Sequence, residues 1–435
     1  MFEGLEEICK VYRVDSYAFD ETPKAVAPKA EEFVVVKPEN ALEVSKILKF
    51  ANERRIPVFI RGGGTGLSGG AVPTRKGILI STEKMRGIEI DVENKVAICQ
   101  CGVTLEELSK TAEKHGLSFP PRPGAENATV GGMIATNAGG VRALKFGVMR
   151  NYVLGIEAVL PNGEIIKLGG KTLKNSSGYS LLHLIIGSEG TLAVITKAII
   201  RLLPPIKDIS MLAIPFITTE DALNFAIEAS LHTVPMALEF MDKRAVEIGE
   251  KVSGKKWVSK EGEAHIMAIF ERKDEAEEVA EIALKFNPID VFILSPKEQR
   301  DLLEFRGKLY LGLKDKVIEI LDVCIPPGEI AEYLQKSEEL AKNYGIELIT
   351  YGHLGDGNLH QHPLLYEDWE KSYKKFRKEL LKLAIELGGV ISGEHGIGVL
   401  KREELRESYP EQFRLMQEIK KIFDPNGILN PDRIF

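Results

Sequence analysis

Residues 61–70, RGGGTGLSGG, constrain the fold of this chain more than any other stretch. They follow an apolar segment typical of a β-strand and contain the spacing G-x-G-x-x-G at Gly64, Gly66 and Gly69. A dinucleotide-binding Rossmann unit requires such a loop to open a helix. Residues 71–75, AVPTR, and a second strand-like segment follow instead, so the sequence argues against a Rossmann unit.

Two further glycine-rich stretches, at residues 127–140 and 187–191, lie in the same half of the chain. Because glycine has no side chain, successive backbone N–H groups can turn inward and form a nest for a pyrophosphate. One such loop alone is typical of an ordinary turn. Three of them together predict that this half of the chain surrounds one long cofactor.

Short strands alternate with helices from residue 33 onward, and the pair Pro204 and Pro205 interrupts this pattern. Thr104 and Glu107 form a capping-box sequence that predicts the start of one helix. Before the proline pair we predict strands at 33–36, 58–61, 77–81, 95–100, 155–160, 164–167 and 192–202, with helices at 40–54 and 104–115. After it we predict strands at 211–215, 265–271 and 290–294, with helices at 219–231 and 274–285.

The chain of 435 residues is long enough for two or three domains. We predict an α+β architecture in four parts. Residues 1–30 form an N-terminal helix and arm, and residues 31–205 form two α/β lobes. Residues 206–388 form an α+β domain with an antiparallel sheet, and residues 389–435 fold back on the first lobes.

Four of the eight histidines lie in two short segments, residues 351–362 and residues 392–396. The pair Asp356-Gly357 predicts a two-residue hairpin turn that places His353 directly opposite His360. Directly opposed residues share a sheet face, and His362 falls on the same face. With the carboxylate of Glu394, the first two imidazoles would make an open site for a divalent metal.

The net charge of −7 argues against nucleic acid as a partner. The acidic N-terminus, with Glu3, Glu6 and Glu7, is not typical of a secretory signal. No apolar run approaches the roughly 20 residues that a membrane helix requires. We therefore expect a cytoplasmic protein, with at most peripheral contact at a membrane. None of the four cysteines forms a C-x-x-C pair, so no iron–sulfur motif is present.

Six ordered motifs, from about residue 30 to the C-terminus, resemble one protein family. They are RGGGTGLSGGA, ENATVGGMIATNAGG, GSEGTL, GHLGDGNLH, SGEHGIG and the closing ILNP. The family is that of the FAD-linked 2-hydroxy-acid dehydrogenases, within the vanillyl-alcohol-oxidase flavoprotein superfamily. Its members include enzymes that act on D-lactate, glycolate or D-2-hydroxyglutarate. The resemblance implies a two-lobed FAD-binding domain, a cap domain over the flavin ring and a returning C-terminal segment.

The resemblance also implies which residues contact FAD. Covalent relatives carry a histidine in the first glycine loop, and Thr65 holds that position here, so we expect FAD to bind non-covalently. The expected contacts are Arg61, Gly62, Gly63, Gly64, Thr65, Gly66, Ser68, Gly69, Pro123, Gly124, Thr129, Gly132, Thr136, Asn137, Gly139, Gly140, Glu189, Gly190, Ile195 and Asn430.

Oxidation of a 2-hydroxy acid requires loss of a hydroxyl proton as hydride passes to flavin N5, and a Lewis-acidic cation assists that ionisation. The resemblance assigns cation binding to His353, His360 and Glu394, and the role of general base to His395. Zinc is the first choice for such a ligand set, while manganese and iron remain open. Arg306 resembles the arginine that binds the substrate carboxylate in the family, and we expect Tyr310, in the next turn, to assist it. His362 either contacts the substrate or fills the same face of the hairpin.

Two departures from hydroxyglutarate-specific relatives indicate a small monocarboxylate. Those relatives carry asparagine at the position of His362 and a lysine near that of Ile320. We therefore expect D-lactate first and glycolate second. An ether-forming enzyme similar to alkyl-dihydroxyacetone-phosphate synthase, a metal-dependent hydrolase and an electron-transfer subunit without turnover are the alternatives. The electron acceptor stays open among a quinone, a carrier protein, a partner subunit and oxygen. A homodimer is the base-rate expectation.

Overall fold

The computed structural model describes residues 2–435, which form three β-sheets flanked by helices. The first sheet has the order β1-β2-β4-β3, with β2 and β3 parallel to β4 and with β1 antiparallel to β2. Its strands are β1 (Val11–Tyr12), β2 (Phe33–Val36), β3 (Val58–Arg61) and β4 (Gly77–Ser81). The glycine loop of residues 61–70 therefore connects two parallel strands without a helix, as the sequence predicts.

The second sheet is antiparallel, with the order β5-β6-β9-β7-β8. Its strands are β5 (Ile88–Asp91), β6 (Val96–Gln100), β7 (Val153–Val159), β8 (Ile165–Gly169) and β9 (Val194–Arg201). The helices of these two lobes are α1 (Ala41–Arg54), α2 (Leu105–Lys114), α3 (Val130–Thr136), α4 (Ala143–Phe146) and α5 (Leu181–Ile185). The predicted capping box forms at the start of α2, where Thr104 and Glu107 bond each other's backbone N–H groups.

The third sheet follows the proline pair and is also antiparallel, in the order β13-β10-β12-β11-β15-β16-β14. Its strands are β10 (Ser210–Phe216), β11 (Ala237–Asp242), β12 (Ala264–Phe270), β13 (Phe292–Ile293), β14 (Leu321–Cys324), β15 (Leu348–His353) and β16 (Asn358–Pro363). The remaining helices are α6 (Thr219–His232), α7 (Lys243–Ser253), α8 (Lys273–Ala283), α9 (Pro296–Leu313), α10 (Ile330–Tyr344), α11 (Trp369–Glu386), α12 (Arg402–Ser408) and α13 (Pro410–Phe423).

Both faces of the third sheet are covered, because alternate residues of each strand enter two different cores. Met211 and Ala213 of β10 pack with Phe305 and Leu309 of α9 on one face. Leu212 and its alternating neighbours pack on the other face with residues of α6, α8, α10 and α11. The third sheet therefore lies at the centre of this part of the chain, with a core on each face.

Two local predictions are wrong. The β15–β16 hairpin pairs His353 with Asn358 and Tyr351 with His360, so the register differs from the predicted one by two residues. The cause is a short 3-10 turn at Leu354–Asp356, which ends at Gly357 with a φ of 83°. The glycine-rich stretch of residues 127–140 also contains a helix, α3, although we predicted only a loop.

The C-terminal segment pairs with the first sheet. The N–H of Val58 donates to the carbonyl of Ile428 at 2.8 Å, and the N–H of Asn430 donates to the carbonyl of Val58 at 2.8 Å. The side chain of Asn430 also accepts a bond from the N–H of Ile60 at 2.9 Å. Strand β3 thereby holds the chain end beside the first glycine loop.

Candidate active site

A cavity of about 750 Å³ lies between the glycine loops and the third sheet. Its walls come from the first glycine loop, from residues 123–141, from α9 and from the β15–β16 hairpin. The loop that carries Glu394 and His395 closes one side. Residues far apart in the sequence therefore meet around one space that is large enough for an extended ligand.

The first glycine loop and residues 127–132 approach each other so closely that side chains would not fit. A Cβ atom on Gly62 would lie 2.2 Å from Oγ1 of Thr129, and one on Gly63 would lie 2.3 Å from the carbonyl oxygen of Asn127. A second cavity of about 350 Å³ borders the same Gly62 and Gly63. Two cavities that share this bare backbone fit a long cofactor with a central pyrophosphate, as FAD has.

Most of the expected FAD contacts line the larger cavity. They are Gly62, Gly63, Gly64, Thr65, Gly66, Ser68, Pro123, Gly124, Thr129, Gly132, Thr136, Gly140, Glu189, Gly190, Ile195 and Asn430. Four expected contacts do not line it. Arg61 donates to the carbonyl of Phe19 at 2.6 Å and borders the smaller cavity.

The other three have backbone or packing roles beside the cavity. A Cβ on Gly69 would lie 2.8 Å from Cγ of Pro28, so this glycine packs against the N-terminal arm. The side chain of Asn137 accepts a bond from the N–H of Arg150 at 2.9 Å. A Cβ on Gly139 would lie 3.2 Å from Oε2 of Glu394, so Gly139 backs that carboxylate.

Glu189 connects the third glycine loop to the C-terminal segment. Its half-buried carboxylate accepts bonds from the N–H groups of Ile397 and Gly398 at 2.7 and 2.8 Å. Its carbonyl accepts a bond from the side-chain amide of Asn430 at 2.7 Å. Burial raises the pKa of this carboxyl, although the two backbone donors oppose that effect. The loop of residues 394–398 is thus held against the predicted flavin site.

His353, His360 and Glu394 converge on one side of the cavity. Nε2 of His353 lies 3.5 Å from Oε1 of Glu394, and Nε2 of His360 lies 3.4 Å from the same oxygen. One ligand atom from each side chain lies within 4.8 Å of the other two. Two imidazoles and a carboxylate that face a common point and border a cavity fit a divalent cation with open coordination positions.

The charges of this trio also favour a cation. Burial disfavours the ionised form of Glu394, but hydrogen bonds from His353 and His360 outweigh it and hold the pKa of this carboxyl well below its usual value. Burial likewise disfavours protonated His353, yet the carboxylates of Glu239 and Glu394 together outweigh burial and raise the pKa of this imidazole. A bound cation would take the place of the proton that Nε2 shares with Glu394.

A second group of metal-ligand type shares His360 and adds Asp322 and His395. Asp322 is fully buried and already accepts bonds from Nδ2 of Asn358 at 2.8 Å and from the N–H of His395 at 2.9 Å. Nζ of Lys401 lies 3.8 Å from its Oδ2. Because this carboxylate is satisfied and faces a lysine, the group that contains Glu394 suits a divalent cation better than the group that contains Asp322.

His395 lies between Asp322 and the metal-ligand trio. Its Nδ1 is 3.7 Å from Oδ2 of Asp322, and its Nε2 is 3.7 Å from Oε1 of Glu394. Burial lowers the pKa of His395, and the carboxylate of Asp322 offsets this only in part. A neutral ring whose Nε2 faces Glu394 at the cavity can accept a proton there.

The three expected substrate residues also border the cavity, but each already has a contact. Nε of Arg306 donates to Oε2 of Glu239 at 2.7 Å, and its guanidinium lies 4.6 Å from the centre of the Tyr351 ring. The hydroxyl of Tyr310 donates to the carbonyl of Glu21 at 3.0 Å. A guanidinium held on one edge keeps its other donors available for a carboxylate.

His362 is the most deeply buried of the expected substrate residues. Its ring stacks on Tyr351 with centroids 4.5 Å apart, and its Nδ1 lies 3.3 Å from the carbonyl of Ile349. Within residues 2–435 its Nε2 has no hydrogen-bond partner. Burial lowers the pKa of His362 to about 3, so the ring is neutral.

Two buried carboxylates of the site were missed in the sequence. Glu239 interrupts the apolar strand β11, and Asp322 interrupts the apolar strand β14. Each side chain is fully buried. An acidic residue flanked by apolar residues inside a strand was the available signal, because a buried carboxylate requires donors nearby.

Residues 33–169 match the family described as FAD binding domain, and residues 207–434 match the family described as FAD linked oxidases, C-terminal domain. The D-lactate dehydrogenase of Archaeoglobus fulgidus is 65% identical, over 99% of this chain and 98% of that protein. The D-lactate dehydrogenase of Anaerostipes hadrus is 41% identical, over 96% and 92% of the two chains. Glycolate oxidase subunit GlcD of Bacillus subtilis is 36% identical, with the same coverage of 96% and 92%.

Solved structures show the same fold at lower identity. The 4-ethylphenol oxidase from Gulosibacter chungangensis superposes with a TM-score of 0.76 at 18% identity, over 98% of this chain and 94% of that one. An alkyldihydroxyacetonephosphate synthase superposes with a TM-score of 0.76, also at 18% identity, over 97% and 82% of the two chains. These two likenesses support the predicted vanillyl-alcohol-oxidase type of fold and nothing about the reaction.

Proposed function

The chain belongs to the family of FAD-linked oxidases, and on that premise we propose that it oxidises a small D-2-hydroxy acid to the 2-oxo acid. D-lactate is the first candidate substrate and glycolate the second. One observation carries the proposal: His353, His360 and Glu394 converge at the wall of the cavity that the glycine loops border. The D-lactate dehydrogenases that match this chain almost end to end support the choice of substrate.

We propose non-covalent FAD and one divalent cation, with zinc favoured by the ligand types. The cavity-lining histidines among residues 2–435 are His353, His360, His362 and His395, and none of them belongs to a glycine loop. When bound, the flavin supplies the acceptor for the hydride of the α-carbon, and the cation supplies a Lewis acid for the hydroxyl.

Arg306 would bind and orient the substrate carboxylate. Its Nε is held by Glu239, so the guanidinium is fixed in the cavity wall while its remaining N–H groups stay available. Lys314 is the other Lys or Arg side chain that lines the cavity within residues 2–435, and it forms an ion pair with Glu21. A single available guanidinium suits a monocarboxylate better than a dicarboxylate.

Ile320 supports the same choice. It lines the cavity close to the histidines and is buried, with 5% of its surface exposed. An aliphatic side chain offers no partner for a second, distal carboxylate, whose burial without a partner would be unfavourable. The methyl group of D-lactate, or the hydrogen of glycolate, would meet this apolar wall without that penalty.

His395 would take the α-hydroxyl proton on its Nε2 atom. This nitrogen lies 3.7 Å from Oε1 of Glu394, on the side where the hydroxyl oxygen would approach the cation site. Asp322, which faces Nδ1 of the same ring, would stabilise the protonated imidazole. Removal of the proton and orientation of the carboxylate are thus assigned to two separate side chains, His395 and Arg306.

Reduced flavin must pass its electrons to an acceptor. We propose a quinone, a carrier protein or a partner subunit as that acceptor. No helix within residues 2–435 is both long and apolar enough to cross a membrane.

Steady-state rates with D-lactate, glycolate and D-2-hydroxyglutarate test the substrate assignment. We expect the highest kcat/KM with D-lactate and the lowest with D-2-hydroxyglutarate, because Ile320 gives a distal carboxylate no partner. L-lactate is the control for stereochemistry. A clear preference for D-2-hydroxyglutarate would refute the assignment, and a colourless protein without flavin would refute the reaction class.

A further inference from the structure

Glu239 occupies an unusual position for a carboxylate. It lies in the middle of β11, has no exposed surface and stands directly opposite His353 of β15. On its other side it faces Met267 of β12, so apolar strands surround it on both edges. A buried carboxylate is stable in such a place only when strong donors satisfy both of its oxygens.

Two side chains satisfy it, and they come from the two halves of the proposed substrate site. Oε1 lies 2.5 Å from Nδ1 of His353, one of the cation ligands. Oε2 accepts from Nε of Arg306 at 2.7 Å and lies 2.7 Å from Nη2 of the same guanidinium. One carboxylate therefore joins the cation ligand to the side chain that would bind the substrate carboxylate.

The two contacts fix the orientation of both partners. Because a carboxylate can only accept, the Nδ1 proton of His353 faces Glu239, so a cation that replaces the second ring proton would meet the lone pair of Nε2 on the side of Glu394. On the other side, two donors of one guanidinium edge face Glu239, and the ring of Tyr351 covers one face of that group. The free edge of Arg306 is thereby directed into the cavity.

We propose that Glu239 is a positioning residue that sets the separation between the cation and the carboxylate-binding guanidinium. This inference rests on the proposed function. A 2-hydroxy acid carries its hydroxyl and carboxylate oxygens on adjacent carbons, so one fixed separation selects that class over acids with a more distant hydroxyl. The role is distinct from those of the cation ligands, because Glu239 does not line the cavity.

The isosteric substitution Glu239→Gln separates this role from mere space filling. Both partners of Glu239 are donors, whereas an amide offers one acceptor oxygen and one NH2 group. The NH2 group would have to face either Nδ1 of His353 or Nε of Arg306, so one of the two contacts is lost. The volume of the side chain and the packing of β11 stay the same.

Glu319→Gln is the matched control. Glu319 is also buried, with 3% of its surface exposed, and it accepts from Nε of Arg377 at the same distance of 2.7 Å. Neither Glu319 nor Arg377 lines the cavity. Any loss of stability that follows from breaking a buried Glu–Arg pair should therefore appear in both variants.

The first measurement is cation retention, which does not depend on activity. Wild-type protein and both variants, loaded with FAD and zinc, are dialysed against increasing chelator and analysed for metal and flavin. We expect Glu239→Gln to lose zinc about 10- to 100-fold more readily than Glu319→Gln, as with other residues that orient metal ligands. FAD content should be equal in all three proteins.

The second measurement is selectivity between D-lactate and 3-hydroxypropionate, which carries its hydroxyl one carbon further away. We expect Glu239→Gln to raise the KM for D-lactate and to lower the ratio of kcat/KM between the two acids. Glu239→Asp keeps both acceptor oxygens and should therefore retain more zinc than Glu239→Gln. If the Glu239→Gln protein does not fold, Glu239→Asp takes its place in the comparison with Glu319→Gln.

The outcomes separate this inference from the proposed function. Zinc retention and acid selectivity in Glu239→Gln equal to those of Glu319→Gln would overturn the positioning role while leaving the oxidation of D-lactate intact. A wild-type protein that binds FAD but never retains a divalent cation would overturn the metal site and this inference together.

Discussion

The imidazole rings of His360 and His395 stack with their centroids 5.0 Å apart and their planes 14° from parallel. Nδ1 of His360 lies 3.6 Å from one oxygen of Asp322, and Nδ1 of His395 lies 3.7 Å from the other. Both Nε2 atoms face Glu394. A proposed cation ligand and a proposed general base thus lie side by side, and one buried carboxylate faces the Nδ1 atoms of both rings.

Replacement of His395 by alanine should separate chemistry from cofactor binding. The variant should bind FAD as the wild type does, because His395 approaches the site from the C-terminal loop rather than from a glycine loop. The rate of flavin reduction by D-lactate should fall by about 10²- to 10⁴-fold, the usual contribution of a general base. Stopped-flow absorbance without oxygen measures both quantities.

His115→Ala is the control for this experiment. His115 is exposed, and its Nδ1 lies 2.9 Å from the carbonyl oxygen of Thr111, four residues earlier. Its removal should leave both quantities unchanged. Wild-type reduction rates in His395→Ala would exclude His395 as the base.

Arg306→Lys should weaken substrate binding more than turnover. Lysine keeps the charge but lacks the planar fork that can contact Glu239 and a substrate carboxylate together. We expect the KM for D-lactate to rise about 10- to 100-fold, as for the loss of a charge-assisted hydrogen bond. Arg377→Lys is the control, because it alters a buried arginine away from the cavity and should leave KM unchanged. Equal KM values for the two variants would contradict the role of Arg306.

Asn430→Ala should loosen the C-terminal segment and release FAD. The Asn430 side chain accepts from the N–H of Ile60 and donates to the carbonyl of Glu189, so alanine leaves both groups without that partner. We expect a loss of about 1–3 kcal/mol in the free energy of unfolding. Thermal unfolding and FAD retention after dialysis measure the effect.

Asn426→Ala provides the comparison in the same tail, because Asn426 makes one exposed contact with Asn52. That variant should lose little stability and keep its flavin. Equal stabilities of the two variants would show that the Asn430 contacts do not secure the chain end.

His265 should make the protein less stable as the pH falls. It is fully buried, and within residues 2–435 neither ring nitrogen has a hydrogen-bond partner. Burial lowers its pKa from 6.5 to about 4, so between these values the unfolded chain binds a proton that the folded protein does not. Stability from this residue is therefore present above pH 6.5 and lost toward pH 4, by about 3 kcal/mol in total.

His265→Phe tests this dependence, because phenylalanine can keep the edge contact with Trp257 and does not titrate. Denaturant unfolding at several pH values should show a smaller decrease between pH 6.5 and 4 in the variant than in the wild type. Parallel pH profiles of the two proteins would contradict the assignment.

The local features of the site could be predicted from sequence, while its long-range contacts could not. His353 and His360 lie on the two strands of one short hairpin. Cross-strand pairing and the alternation of side chains along each strand place them on one face. Their register was wrong because the 3-10 turn at Leu354–Asp356 lengthens the loop. Glu239 is 114 residues from His353, and only the pairing of β11 with β15 brings them together.

The glycine loops show the same division. The missing helix after residues 61–70 correctly excluded a Rossmann unit, because that requirement is local. The bond between Ile60 and Asn430 spans 370 residues and depends on where the chain end docks. The motif resemblance suggested that return, but the residues alone gave no partner for Asn430.

The most direct test of the whole account is an absorbance spectrum of the purified protein before and after D-lactate is added without oxygen. Metal content is measured on the same sample and on one depleted by chelator. We predict a yellow protein that D-lactate bleaches only when the cation is present, with bleaching restored by added zinc. A flavin that is bleached equally well after complete removal of the metal would contradict the proposed role of His353, His360 and Glu394.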